Sequence, residues 1–278
     1  MLGKKGYIFL SVLLLLLLLS VSIWLKQEYA FFGIGGGHLL PGEPDRDQPA
    51  VTRTIRILEP GTAQETVLLI IAAPAEGPTI MVMGGVHGDE PAGYQAAGII
   101  SGWSIDRGTL LVLPRANAQA VASGTRYPPG SLNLNRSFPG SAVGNPTERL
   151  AASIYEVMAE FRPQWVVDLH EAREFERVQF DALGQTIIYP EDAPSLAVVE
   201  QIIAGLNRSL MEELHLFQVK RGGVAGGSIS AARSLGLESF TVETTQELPL
   251  PDRVNQHLEA VRLLMSILEI NVLDHSAN

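Results

Sequence analysis

Pro78-Thr79-Ile80-Met81-Val82-Met83-Gly84-Gly85-Val86-His87-Gly88-Asp89-Glu90 is the stretch that sets the fold. Residues 79–83 form a short apolar run, the pattern of a buried strand. Two glycines break that run and allow a tight turn. A helical pattern over 90–102 follows. Strand, turn and helix in this order form half of a βαβ unit. Polar residues in the turn then stand at the carboxyl end of a strand, where open α/β sheets place their sites.

The same alternation extends outward in both directions. Strand-like runs occur at 52–58, 65–72, 109–113, 164–169, 185–189 and 238–243. Helical patterns occur at 146–161, 194–213, 227–235 and 252–269. The helix at 146 has a clear start in Asn145, Pro146, Thr147 and Glu148. Short apolar strands between amphipathic helices predict an α/β fold, a single domain over 51–278 with a central sheet flanked by helices. The first strands follow one another without helices. That edge is expected to be antiparallel and the sheet mixed.

Four polar groups fall at predicted strand ends or in the loops between them. His87 and Glu90 are three residues apart across the turn, and an imidazole and a carboxylate so placed can share a zinc ion. Trp165-Val166-Val167-Asp168-Leu169-His170 is an apolar strand that ends in a second histidine. Three protein ligands would leave a fourth position open to water, the pattern of a catalytic zinc site. Phe240-Thr241-Val242-Glu243 is another apolar strand, closing on a carboxylate that can take a proton from such a water. Asn133-Leu134-Asn135-Arg136, with Arg126 upstream, joins arginine to an amide, a combination suited to gripping a carboxylate. Asp168 shares the His170 side of its strand by the two-residue period and is a candidate to orient a ligand. Glu171 and Arg173 are candidates for the pocket mouth. His38, His215, His257 and His275 have no motif around them and read as surface residues.

Taken in order, His87-x-x-Glu90, Asn135-Arg136 with Phe138-Pro139-Gly140, Asp168-Leu169-His170 and Val242-Glu243 resemble the zinc carboxypeptidase superfamily, in its succinylglutamate desuccinylase/aspartoacylase branch. The resemblance spans roughly 78–245. It implies one zinc ion per chain, held by His87, Glu90 and His170. It implies Glu243 as general base and then as proton donor to the leaving amine. Asn135 and Arg136 match the pair that grips the substrate carboxylate, and Arg126 the arginine that polarises the scissile carbonyl. The chain departs from the pattern in three places. Asn133 stands where the family usually has Asp, no Tyr follows Glu243, and about 33 residues, mostly one helix, follow Thr245. The expected cleft is correspondingly open and the expected substrate a peptide, with a small N-acyl amino acid as the other class. A zinc-containing, catalytically inactive module that binds a carboxylate or peptide is the reading from a different class.

The amino terminus reads as a membrane address. Residues 7–25 carry no charge and, as a helix, would span roughly 28 Å, about one hydrocarbon core. Lys4 and Lys5 precede the run, which favours a cytoplasmic amino terminus and an extracytoplasmic body. Residues 1–26 are therefore expected to be a transmembrane signal anchor, or else a cleaved signal peptide that leaves the protein secreted. The segment 27–50, rich in glycine and proline, reads as a flexible linker.

Composition narrows the remaining functions. The 278 residues include no cysteine, which excludes disulfide scaffolds, thiol nucleophiles and Cys-based metal sites. The net charge is −10, and the first 26 residues contribute +3 to it. The rest carries −13, a field that repels nucleic acid. No Gly-x-Ser-x-Gly elbow of a serine hydrolase is present. The oligomeric state is not encoded in any of these features.

Overall fold

The structure, a computed structural model, describes residues 50–179, 181–191 and 194–273. The expected anchor at 1–26 and the expected linker up to residue 49 lie outside the described residues. Among the described residues no helix is long and apolar enough to cross a membrane.

The chain runs β1 (Thr52–Leu58), β2 (Thr66–Ala72), β3 (Ala75–Gly84), α1 (Pro91–Ile100), β4 (Ser104–Ile105), β5 (Arg107–Leu113) and α2 (Ala118–Ser123). It continues through α3 (Pro146–Phe161), β6 (Trp165–Ala172), β7 (Thr186–Tyr189), α4 (Leu196–Asn207), β8 (Gln218–Arg221), α5 (Ser228–Ser234), β9 (Glu238–Thr245), α6 (Leu250–Ile267) and β10 (Val272–Leu273). Eight strands form one sheet in the order β1-β2-β5-β3-β6-β9-β7-β8. β1, β2 and β5 are antiparallel neighbours, while β5, β3, β6 and β9 are parallel to one another. The sheet is mixed, with its antiparallel edge where the helix-free run of strands predicted it. β7 runs antiparallel to β9. β4 and β10 make a separate two-stranded ribbon.

Alternate strand residues feed two cores. Ile80, Val82, Leu110, Val112, Trp165, Val167 and Leu169 pack under α1, α4 and α6. Met81, Met83, Leu111, Leu113 and Val166 pack under α3 and α5. Helix α3 begins where its sequence signal stands. Asn145 Oδ1 accepts from Thr147 N and Glu148 N, and Glu148 Oε2 accepts from Asn145 N. Such a box stabilises a helix start by about 0.5–2 kcal/mol.

From β3 the chain passes through α1 to β5 on one side, and β6 lies on the other. The carboxyl ends of β3 and β6 thus flank a switch point, where a crevice opens. One helix is shorter than its sequence pattern. The apolar periodicity runs over 194–213, but α4 ends at Asn207. The Asn207 side chain donates to Phe217 O and accepts from Phe217 N, and this pair turns the chain back toward β8.

Candidate metal centre and its cleft

β3 ends at Gly84, and the turn that follows brings His87 and Glu90 inward, both buried. Gly88 between them has no room for a side chain. A Cβ there would run into the backbone oxygen of Ala120. Glu90 is the N-cap residue of α1, yet its side chain makes no cap. It is turned instead into a nest of imidazoles. Glu90 Oε1 lies 2.7 Å from His87 Nδ1, and Oε2 lies 2.7 Å from His170 Nδ1. The donor atoms of His87, Glu90 and His170 lie within 4.8 Å of one another. The turn after β3 and the end of β6 supply the set, because β3 and β6 pair in parallel.

The outer nitrogen of His87 is held as well. His87 Nε2 is 3.1 Å from Asn133 Oδ1, which also accepts from Asn135 N at 2.9 Å. The Asn133 amide therefore supplies an oxygen to the first histidine. His170 Nε2 sits 3.0 Å from Asp168 Oδ2 but without hydrogen-bond alignment. Asp168 Oδ2 accepts from Ser228 Oγ, and Oδ1 has no partner.

The electrostatics favour a positive charge at the centre. Burial by itself would raise the Glu90 carboxyl, but His170 and then His87 hold it well below the usual carboxylate range. Burial would lower the His170 imidazole, yet Asp168 and Glu90 raise it well above its ordinary value. The two imidazoles supply the charge that the inward-facing Glu90 carboxylate draws on, while Asp168 Oδ1 is left without a hydrogen bond. A divalent cation held by two nitrogens and a carboxylate would supply such charge, and this borderline N/O donor set suits zinc. The residues present therefore fit the implied metal.

Glu243 lies opposite His170 in the register of β6 and β9, on the same sheet face. Burial pushes its carboxyl up to about 8; Glu90 and Asp168 add to this, and His170 and Arg126 oppose it. His87, His170, Arg126, Asn135, Arg136 and Glu243 line one cleft, of about 190 Å³. Leu183, Ile188, Val224 and Ile229 make its apolar wall. Arg126 Nη1 donates to Glu90 Oε1 at 2.9 Å, with about half of its side chain exposed. Arg136 Nη1 donates to Asn135 O. Asn135 Oδ1 accepts from Ser228 N at the start of α5.

The structure thus gathers all seven sequence-derived site residues into one place. It also adds groups that the sequence reading passed over. Ser228 holds both Asp168 and Asn135, and Lys220 and Arg221 of β8 face the same cleft. Ser228 opens a helix after a Gly-Gly pair, which was its one visible signal.

Two expectations are corrected. Glu171 does not reach the pocket mouth. The two-residue period turns it to the α1 and α6 face, where it is buried against Ala92 and Arg253. Arg173 is exposed, and it is not among the residues lining the cleft. His257 is not a surface residue; α6 buries it completely against Thr244. His215 is partly exposed and stacks on Phe175, and His38 and His275 lie outside the described residues.

Comparison with known proteins gives the following. A family model described as the Succinylglutamate desuccinylase/Aspartoacylase catalytic domain matches residues 76–268. The N-alpha-acetyl-L-2,4-diaminobutyric acid deacetylase of Halomonas elongata is 37% identical over 99 residues, covering 34% of this chain and 29% of that protein. Probable carboxypeptidase 2 of Trichophyton verrucosum is 31% identical over 145 residues, covering 49% of this chain and 26% of that protein. Tripeptide-bound Cell Shape Determinant Csd4 from Helicobacter pylori superposes with a TM-score of 0.67 at 21% identity, covering 76% of this chain and 57% of that one. The last likeness is one of fold. The chain spans less than a third of the length of these curated relatives.

Proposed function

The chain belongs to the succinylglutamate desuccinylase/aspartoacylase family, and from that premise we propose that it is a zinc-dependent hydrolase, with one zinc ion per chain, of an amide bond adjacent to a carboxylate. The observation that carries this reading is the convergence of His87, Glu90 and His170 beside a cleft that His87, His170 and Glu243 line. His87 and His170, whose Nδ1 atoms face Glu90, would hold the metal together with the Glu90 carboxylate. Zinc, when bound, supplies Lewis acidity that makes water a usable nucleophile near pH 7.

The other roles belong to side chains of this protein. Glu243 accepts a proton at its carboxylate as the nucleophile forms, then returns it to the leaving amine. His170 and Arg126 next to it oppose the effect of burial, and a bound divalent cation would add to that opposition and favour the ionised form. Arg126 reaches the metal site through Glu90 and has the exposed length to turn toward a carbonyl oxygen. Asn135 Oδ1 is already engaged, which leaves its amide N–H groups to meet a substrate carboxylate alongside the Arg136 fork.

A peptide is the substrate class we favour. The apolar wall offers a place for a side chain next to the carboxylate grip. A carboxypeptidase among the relatives and a tripeptide-bound structural neighbour support it, while a deacetylase relative keeps N-acyl amino acids as the second class. The inactive binding module is disfavoured because binding needs no base at Glu243. The experiment is hydrolysis by zinc-loaded and zinc-stripped protein over a series from N-acetylaspartate and N-succinylglutamate to tri- and tetrapeptides. Zinc-dependent turnover that rises with peptide length is expected. Tight binding without turnover of any member would replace the enzyme by the binding module.

We further propose that the hydrolase works outside the cytoplasm on a membrane tether. The uncharged run 7–25 behind Lys4 and Lys5 supports it. A reporter fused after Asn278 should be active only if it works outside the cytoplasm; strong signal from a cytoplasm-only reporter would reverse the topology.

A further inference from the structure

Glu90 presents a structural problem. As the N-cap residue of α1 it should accept a helix N–H, but both its oxygens are turned to histidines. Pro91 at the first helical position has no N–H, so Ala92 N is the first donor left unserved. Glu171 serves it from another element, with Oε2 accepting from Ala92 N at 2.7 Å. In return, the backbone N of Glu171 donates to Glu90 Oε2 at 3.1 Å. The two residues form a reciprocal cap across 81 positions of sequence, which locks the start of α1 to the end of β6. Glu90 and His170 are the two metal donors on those segments.

Glu171 is nearly sealed from solvent, and a buried carboxylate needs a counter-charge. Arg253 of α6, itself buried, supplies one by donating from Nη1 to Glu171 Oε1. The start of α1 adds the positive end of a helix dipole. Gly93 completes the joint, since a Cβ there would meet the Leu169 backbone oxygen.

We propose that Glu171, braced by Arg253, is a positioning residue that fixes the Glu90 carboxylate between His87 and His170. The inference rests on the zinc reading above. Glu171 touches neither the cleft nor a substrate; it acts through Glu90. Losing the brace frees the α1 start to shift against β6, so Glu90 no longer meets both imidazoles.

The test is the zinc dissociation constant of the full chain, measured by chelator competition, for wild type, Arg253→Met, Arg253→Lys and Glu171→Gln. Folding of each metal-free variant is followed separately by circular dichroism and thermal melting. Arg253→Met should weaken zinc binding about 10–100-fold, the usual range for partners that orient metal ligands. Arg253→Lys should recover most of that loss. Glu171→Gln should also bind more weakly while remaining folded, because its amide oxygen can still accept from Ala92 N; it keeps the proposal testable if Arg253→Met does not fold. Folded variants that hold zinc as tightly as wild type, with only a lower melting temperature, would reduce the pair to a structural brace and overturn the proposal. Wild-type protein that binds no zinc would overturn both this proposal and the zinc reading; tight wild-type binding with unaffected variants would overturn this one alone.

Discussion

Two polar clusters sit back to back at the carboxyl ends of β6 and β9, on opposite faces of the same sheet. On the α3 and α5 face, His170 and Glu243 are register partners and look into a cleft. On the α1 and α6 face, the next pair, Glu171 and Thr244, looks into the protein. Arg253 and His257, four residues apart on α6, meet that inner pair one for one. The inner cluster is sealed from solvent and matched residue to residue, although Arg253 Nε and His257 Nδ1 have no hydrogen-bond partner. The outer one turns carboxylates and imidazoles toward a common centre and leaves Asp168 Oδ1 and His170 Nε2 without hydrogen bonds. Two neighbouring positions on one strand are thus separated by their period into anchoring and chemistry. A site needing three donors in fixed positions gains from this arrangement, because the reverse side of the same strands supplies the rigidity.

Perturbing each face should have a different signature. On the cleft side, Glu243→Ala should keep its zinc and lose about 10²–10⁴-fold in kcat, the usual contribution of a positioned base. Unchanged kcat in the metal-replete variant would move the base elsewhere. Arg136→Ala should act more mildly and on KM, raising it about 10–100-fold with kcat nearly held, as expected if the arginine grips the carboxylate equally in ground and transition states. A fall in kcat at constant KM would place Arg136 on the reacting centre instead.

On the closed side the expected signature is in stability. Burial, reinforced by His170 and Arg253 and opposed by Glu90, lowers the His257 imidazole to about 3. An unfolded histidine takes its proton near 6.5, so the unfolded chain binds more protons at every pH between these values. The contribution of His257 to stability is therefore complete above about pH 6.5 and falls as pH is lowered toward 3. The share from His257 is about 2 kcal/mol at pH 5. His257→Gln should flatten that acid limb between pH 7 and pH 5 in denaturant melts. An acid limb of unchanged slope would show that His257 is not the group responsible.

The sequence announced the cleft side far better than the closed side. His87, Glu90, His170 and Glu243 each follow a buried apolar strand, so local patterning alone placed them at strand ends. The central strands and α3 were readable for the same reason: their apolar runs have clear bounds. β8 was not, because Gln218-Val219-Lys220-Arg221 is a polar edge strand with no hydrophobic run to mark it. Helix α2 was missed although Asn117 caps its start and Gly124, in the left-handed conformation, ends it; six residues are too few for a periodicity. The Glu171–Arg253 pair was invisible for a different reason. Its members are 82 residues apart, and nothing local distinguishes a buried ion pair from two surface charges. His257 was misread as exposed by the same limit.

The most direct test of the account is the zinc content of purified protein by elemental analysis, for wild type, His87→Ala, His170→Ala and Glu243→Ala. About one zinc per chain is expected in wild type and in Glu243→Ala, and essentially none in either histidine variant. Full zinc in both histidine variants, each folded, would contradict the assignment of His87, Glu90 and His170 as the metal centre.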